Sequence, residues 1–376
     1  MPEISLQYLI KPASGLCNMR CRYCFYTDEM NKRAQASYGI MTEATAEALV
    51  KGAFAAAPAR AAFAFQGGEP TLAGLPFFEK FCALVREYNT KRIPVELALQ
   101  TNGYALDEAW AAFLAKEGFL VGISVDGWQE LHDANRIDAA GEGTYGRVCR
   151  AARLLDRWKV PYNVLTVVTA QAARHPDKIY GSLRRNGFGY WQFIPCLDPL
   201  GEARGGEKYS LTPEGYGSFL CRIFDLWYAD LTCGRQPYIR YFENLVAMLV
   251  GRPPEACGML GHCSRQLVVE ADGRVYPCDF YVLDGYAIGS VCTDSVAQIE
   301  QKRALLGFIE QSAAVAPECA ACRFYPICRG GCRRDRDDGC GTLGKSWFCG
   351  AYQAFFTHAL PRLEQIASVL ERQGRV

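Results

Sequence analysis

Cys17, Cys21 and Cys24 stand at C-x3-C-x2-C spacing near the start of the chain. Three thiolates so close in sequence can hold three irons of a [4Fe–4S] cube and leave the fourth iron without a protein ligand. An open iron is a place where a small molecule can bind and react. Short cysteine clusters also bind zinc, and the spacing alone leaves both metals open. Of ten cysteines between Cys257 and Cys349, eight fall into a second pattern. Cys257 leads, and Cys263 is followed by x9-Gly273-x4-Cys278. Then come Cys319-x2-Cys322-x5-Cys328-x3-Cys332 and, last, Cys349. Four-cysteine sites built from such pairs serve structural zinc as well as iron–sulfur clusters. The remaining Cys82, Cys149, Cys196, Cys221, Cys233, Cys292 and Cys340 read as small hydrophobes rather than ligands, although Cys340 lies close to the second cluster of cysteines.

The 376 residues, half of them hydrophobic, suffice for one large domain and a smaller one. Forty-one basic and forty acidic side chains nearly cancel, so no electrostatic footprint for nucleic acid or anionic lipid is present. There is no apolar run of bilayer length, and residues 1–10 lack the basic and apolar parts of a secretion signal. A cytoplasmic protein without membrane or nucleic-acid partners is expected. Eighteen cysteines in that reducing compartment argue for metal clusters over disulfides, and an anaerobic or microaerobic host follows.

Short apolar β-type runs alternate with amphipathic helical stretches from residue 4 to 195, the pattern of a parallel α/β sheet. The strands are read at Leu6–Ile10, Ala62–Phe65, Val95–Leu99, Phe119–Val125, Tyr162–Val168 and Tyr190–Ile194. Helices are read at Thr42–Ala57, Pro76–Asn89, Asp107–Lys116 and Tyr145–Trp158. Six βα units suggest a partial, TIM-like barrel with its chemistry at the C-terminal ends of the strands. Cys17 to Cys24 falls just past the first of them. Pro199–Pro213 reads as a loop, Tyr216–Leu231 and Tyr241–Leu249 as helices, and Ala271–Arg274 as a hairpin turn. The composition then turns rich in Cys, Gly and Arg. We place the domains at 1–235 and 236–376, the second ending in a helix.

The triad, followed one strand later by Gln66-Gly67-Gly68-Glu69-Pro70, resembles the radical S-adenosylmethionine (SAM) enzymes and their GGEP motif. The resemblance implies that SAM ligates the open iron and is cleaved to a 5'-deoxyadenosyl radical. It implies SAM contacts from Tyr23, Gly68, Ser124, Arg136 and Leu197. From Cys263 onward the chain resembles the SPASM extension of peptide-modifying members. By that likeness Cys257, Cys263, Cys278 and Cys332 hold one auxiliary [4Fe–4S] cluster, and Cys319, Cys322, Cys328 and Cys349 hold a second. The fold implied is a partial (β/α)6 radical SAM barrel followed by a Cys-rich SPASM domain, with three [4Fe–4S] clusters and SAM as cofactors.

Longer strings, among them Phe63-Ala-Phe-Gln-Gly-Gly-Glu-Pro-Thr-Leu-Ala-Gly and Tyr276-Pro-Cys-Asp-Phe-Tyr-Val-Leu-Asp, look like the anaerobic sulfatase-maturating enzymes. That resemblance implies oxidation of a Cys or Ser in a Cys/Ser-x-Pro-x-Arg segment of an unfolded or nascent sulfatase to Cα-formylglycine. It implies Asp279 as the proton acceptor, and a flavodoxin- or ferredoxin-type reductant. Tyr26, Gln66, Gln100 and Asn102, near strand ends, could line the peptide opening. The competing readings are another SPASM-type peptide maturase, such as a thioether-forming one, and a non-enzymatic iron–sulfur or zinc protein.

Overall fold

The computed structural model describes residues 5–56, 58–339 and 343–374. Among them are nine strands: β1 (Ser5–Ile10), β2 (Arg60–Phe65), β3 (Val95–Thr101), β4 (Leu120–Ser124), β5 (Tyr162–Val168), β6 (Tyr190–Pro195), β7 (Tyr238–Ile239), β8 (Leu267–Val269) and β9 (Val275–Tyr276). All six strands expected between residues 4 and 195 are there, with helices between them, and the fold is α/β. The chain gathers into two compact units drawn from separate stretches of sequence. Residues 1–124, 136–162 and 265–308 make the first, and 125–135, 163–264 and 309–376 the second. Among the described residues no helix is long and apolar enough to cross a membrane.

In the first unit the strands run in the order β4-β3-β2-β1-β8-β9, parallel except for β9, and the row does not close on itself. Leu6, Tyr8 and Ile10 of β1 are buried while Ser5 and Gln7 are exposed, the period of two that a strand imposes. Phe63 and Phe65 of β2 continue that row, opposite Tyr8 and Ile10. They meet Phe81 and Phe78 of the helix Leu75–Tyr88 with ring centroids 5.4 and 4.8 Å apart. Each such buried ring contributes about 1.5–3 kcal/mol over an exposed one. The helix Glu108–Glu117 starts where the Asp107 side chain accepts from Trp110 N, and it stops at Gly118, whose φ of 72° suits a residue without Cβ. The helix expected over Thr42–Ala57 runs Glu43–Ala55; Ala57 lies outside the described residues.

The second unit contains β5, β6 and β7, parallel in that order. Two long helices, Pro213–Thr232 and Cys349–Arg372, pack on each other. Gly217 makes their approach possible, since a Cβ there would stand 3.1 Å from Ala351 Cα. Phe224, Phe242 and Phe355 fill the space beside them, with centroids 5.3 to 5.8 Å apart. The 199–212 stretch is a loop as expected, yet it is anchored: Asp198 is buried and accepts from Gly205 N and from Ser210 Oγ.

The hairpin expected around Ala271–Arg274 forms, with Gly273 at φ 90° in its turn and Val268 opposite Tyr276. Its partner is β1. Ile10 lies opposite Val269, and Lys11 N donates to Val269 O at 2.8 Å. A dry ion pair fixes this return of the chain: Arg33 Nη1 stands 2.7 Å from Glu270 Oε2, with the side chains 3% and 0% exposed. Leaving one charge of such a pair alone costs about 3–5 kcal/mol, whereas replacing both costs far less. Arg33→Met should lower the unfolding free energy by about 3–5 kcal/mol, and adding Glu270→Gln should recover most of that loss. Anaerobic urea unfolding measures both; equal losses in the single and double variants would contradict this role for the pair.

Candidate active site

Past β1 the chain turns tightly, with Ser14 N donating to Lys11 O and Leu16 N to Ala13 O, and presents Cys17, Cys21 and Cys24, all half-buried. Met19 N donates to Cys17 Sγ at 3.4 Å, and the Asn102 amide stands 3.8 Å from the same sulfur and 2.8 Å from Asn18 Oδ1. Burial pushes the Cys17 thiol up to about 12, so an unmetallated sulfur here keeps its proton. Cationic iron reverses that balance by deprotonating the thiols it binds.

The Gly67-Gly68-Glu69 turn is folded onto this loop. Gly68 N donates to Ser14 O and Glu69 N to Leu16 O, at 2.9 and 2.7 Å. A Cβ on Gly68 would sit 2.1 Å from Leu16 O, so only glycine fits. Glu69, 1% exposed, accepts from Thr71 Oγ1, Thr101 Oγ1, Thr71 N and Asn102 N at 2.6 to 3.1 Å. Burial raises its pKa against the pull of those four donors. Glu69 thus pins the end of β3 to the turn after β2. Tyr23 and Arg136 lie together, the guanidinium 5.4 Å from the ring centroid, and Gln100 Nε2 donates to Ser124 Oγ at 3.3 Å. Leu197, half-buried just past β6, belongs to the second unit. Asp126 and His132, also there, are buried against each other: Asp126 N donates to His132 Nδ1 at 3.2 Å, which leaves the proton of a neutral ring on Nε2.

Cys278 ends the β8–β9 hairpin and begins the short turn Asp279–Tyr281. Asp279 is 7% exposed, and its Oδ2 accepts from Tyr26 Oη at 2.7 Å and Gln66 Nε2 at 3.0 Å. Lys11 Nζ stands 3.0 Å from Oδ1, an ion-pair distance, and this oxygen is buried. The ammonium also stands 3.4 Å from Glu29 Oε2 and 4.1 Å from the Tyr26 ring centroid. Burial alone would lower the Lys11 pKa, but Asp279, Glu29 and Glu270 outweigh it, and Lys11 stays charged. Burial and the Asp279 charge hold the Tyr26 phenol well above its usual range. Burial also pushes the Glu29 carboxyl up to about 7, against the pull of Lys11.

Of the residues expected near the peptide opening, Tyr26 and Gln66 converge on Asp279, Gln100 reaches Ser124, and Asn102 reaches the cysteine loop. Lys11 and Glu29 escaped sequence reading. A lone lysine directly after a strand was the available signal for the first; nothing local marks the second.

In the second unit Cys319, Cys322, Cys328 and Cys349 line one cavity of about 80 Å³, with Tyr325 and Tyr352 in its wall. Cys257, Cys263 and Cys332 line another, where Arg334 N donates to Cys332 Sγ at 3.4 Å. Burial pushes Cys328 up to about 11 and holds Cys332 well above the usual thiol range. All-sulfur donor sets fit zinc or iron–sulfur groups. Among the described residues, no three His, Cys, Asp or Glu side chains converge tightly enough to hold a single ion. Cys82, Cys149 and Cys196 are buried, as expected of packing residues, while Cys233 and Cys292 are exposed. Cys340 lies outside the described residues.

Residues 12–171 match the radical SAM superfamily, and residues 257–323 match the iron–sulfur cluster-binding SPASM domain. A cysteine-type anaerobic sulfatase-maturating enzyme of Clostridium novyi is 44% identical over 368 residues, 97% of this chain and 98% of that protein. A serine-type anaerobic sulfatase-maturating enzyme of Klebsiella aerogenes is 31% identical over 363 residues, 96% and 86% of the two. Among solved structures, native anSMEcpe with bound AdoMet and Cp18Cys peptide matches with a TM-score of 0.93 at 44% identity, over 98% of this chain and 100% of that one.

Gly68→Ala should drive the GGEP turn off the cysteine loop, with loss of one cube's iron and of SAM cleavage; full iron content with wild-type cleavage would contradict the close fit. Glu29 yields a pH signature. Its folded pKa, about 7, lies above the ordinary 4.5, so between those values the folded chain holds a proton that the unfolded chain releases. This group therefore lowers stability progressively as pH rises through that window. Glu29→Gln should gain stability relative to wild type from about pH 5 to pH 8, read by urea unfolding. A difference constant across that range would contradict the assignment.

Proposed function

The chain belongs to the anaerobic sulfatase-maturating enzymes of the radical SAM superfamily, and we propose from that premise that it oxidises a cysteine of a sulfatase Cys-x-Pro-x-Arg segment to Cα-formylglycine. The observation that carries this reading is the juxtaposition of Asp279 with Lys11, Tyr26 and Gln66 directly beside Cys278. Cysteine as the preferred substrate is supported by 44% identity to the cysteine-type enzyme against 31% to the serine-type one.

Cys17, Cys21 and Cys24 would hold the cluster that binds SAM, and Tyr23, Gly68, Ser124, Arg136 and Leu197 would touch the SAM. Cys257, Cys263, Cys278 and Cys332 would hold one auxiliary cluster and Cys319, Cys322, Cys328 and Cys349 the other, three [4Fe–4S] clusters in all. We take 1–235 as the radical SAM core and 236–376 as the SPASM domain. When bound, these groups supply a deoxyadenosyl radical that removes a hydrogen atom from the substrate Cβ, and an acceptor for the second electron. Asp279 takes the thiol proton on Oδ1. Tyr26 and Gln66 hold Oδ2 and so fix the direction of Oδ1, while the Lys11 ammonium stands 3.0 Å from Oδ1 as its counter-charge. Loss of a hydrogen atom, a proton and an electron leaves a thioaldehyde, which water hydrolyses to the aldehyde and hydrogen sulfide. A flavodoxin- or ferredoxin-type protein is the reductant we expect, in the cytoplasm.

The test is an anaerobic assay of the iron-reconstituted protein with SAM, a reductant and a Cys-x-Pro-x-Arg peptide, with a hydrazine probe and mass spectrometry. A trapped aldehyde formed together with deoxyadenosine is expected, faster than from the Ser-x-Pro-x-Arg peptide. Deoxyadenosine without any change in the peptide would overturn the substrate reading. Cys24→Ala should make no deoxyadenosine at all.

A further inference from the structure

Tyr352 lies one helical turn past Cys349, on the helix Cys349–Arg372. Its ring forms part of the wall of the cavity lined by Cys319, Cys322, Cys328 and Cys349. The ring also lies beside Gly331, where a Cβ would stand 3.5 Å from Tyr352 Cε2, ordinary van der Waals contact. Gly331 lines the second cavity, beside Cys332, Cys257 and Cys263. One aromatic ring therefore packs against the walls of both cysteine cavities. Tyr216 stacks edge-on behind it, with centroids 6.2 Å apart, and Phe348 packs edge-on against Tyr216 at 5.0 Å. Gly331 has a φ of 75°, so its backbone favours glycine. Helix geometry makes the placement rigid: residues three apart lie on the same helix face, so the chain that carries Cys349 also fixes Tyr352.

From this packing we infer that Tyr352 is the bridge by which an electron passes between the two auxiliary cluster sites. The inference rests on the proposed assignment of the eight cysteines to two clusters. An electron taken from the substrate would reduce the cluster that Cys257, Cys263, Cys278 and Cys332 would hold. It would then pass, returning that cluster to its oxidised state, to the cluster that Cys319, Cys322, Cys328 and Cys349 would hold. A flavodoxin- or ferredoxin-type carrier finally takes it away. Tyr352 supplies packed, polarisable matter across the gap and is not itself oxidised, so no proton or bond changes hands at the ring. The role belongs to the ring rather than to the hydroxyl. Tyr352→Phe should therefore behave as wild type, whereas Tyr352→Leu should not.

The experiment uses the reconstituted holoenzyme of wild type, Tyr352→Phe, Tyr352→Leu and Tyr352→Met. Iron and sulfide are counted first. A single turnover on the Cys-x-Pro-x-Arg peptide follows, without an external acceptor, freeze-quenched for electron paramagnetic resonance. In wild type and Tyr352→Phe, the signal of the second reduced cube should rise in step with deoxyadenosine. In Tyr352→Leu the first cube's signal should persist and the second's should be lost from the first turnover. Tyr352→Met, which keeps the length of the side chain but not the ring, should do the same, and it decides the matter if the leucine variant fails to hold iron. Full iron with unchanged transfer in the variants without the ring would overturn the bridge alone. A wild-type chain holding iron for fewer than three cubes would overturn the cysteine assignment, and the bridge with it.

Discussion

The ammonium of Lys11 is buried to 2% exposure at the end of the first strand, and an isolated charge there could not be sustained. It requires carboxylates, and it has Asp279 at 3.0 Å and Glu29 at 3.4 Å. Asp279 lies far away in sequence, so the chain must return to β1 to deliver it. β8 does this by pairing in parallel with β1, and the Arg33–Glu270 pair fastens the return. Asp279, its donors Tyr26 and Gln66 and its counter-charge Lys11 are therefore brought together by one strand pairing. The same pairing brings Cys278 to the strand end at which Gln66 begins the GGEP turn.

A second constraint is the closeness of the cysteine loop to the Gly67-Gly68 turn. Backbone hydrogen bonds join the two, and there is no room for a side chain at Gly68. Glu69 extends the connection to the third strand by gathering four donors from Thr71, Thr101 and Asn102. A loop held at so many points has little freedom left to lose on binding its cofactors, which is what preorganisation contributes to affinity.

Much of this was legible in the sequence, because the chemistry is written in local spacing. Cys17, Cys21 and Cys24, the GGEP turn, and the pairs ending in Cys322 and Cys332 are short-range patterns. So are the six strands, whose apolar periodicity survives without knowledge of their partners. The parts that could not be read depend on contacts distant in sequence. The hairpin at Ala271–Arg274 was visible from its turn residues, but its docking on β1 was not. Lys11 was one lysine among many until Asp279 and Glu29 were seen around it. Glu69 read as one letter of a motif, whereas its four donors make it a latch. Tyr352 carried no signal, because its position between two cysteine cavities exists only in the fold.

The most direct measurement compares Asp279→Asn with wild type, counting aldehyde trapped per deoxyadenosine formed on a Cys-x-Pro-x-Arg peptide. The substitution keeps the shape of the side chain and touches no cluster cysteine, so SAM cleavage should continue. If Asp279 accepts the substrate's proton, deoxyadenosine will accumulate while aldehyde falls to background. Aldehyde per deoxyadenosine equal to that of wild type would contradict the role given to Asp279.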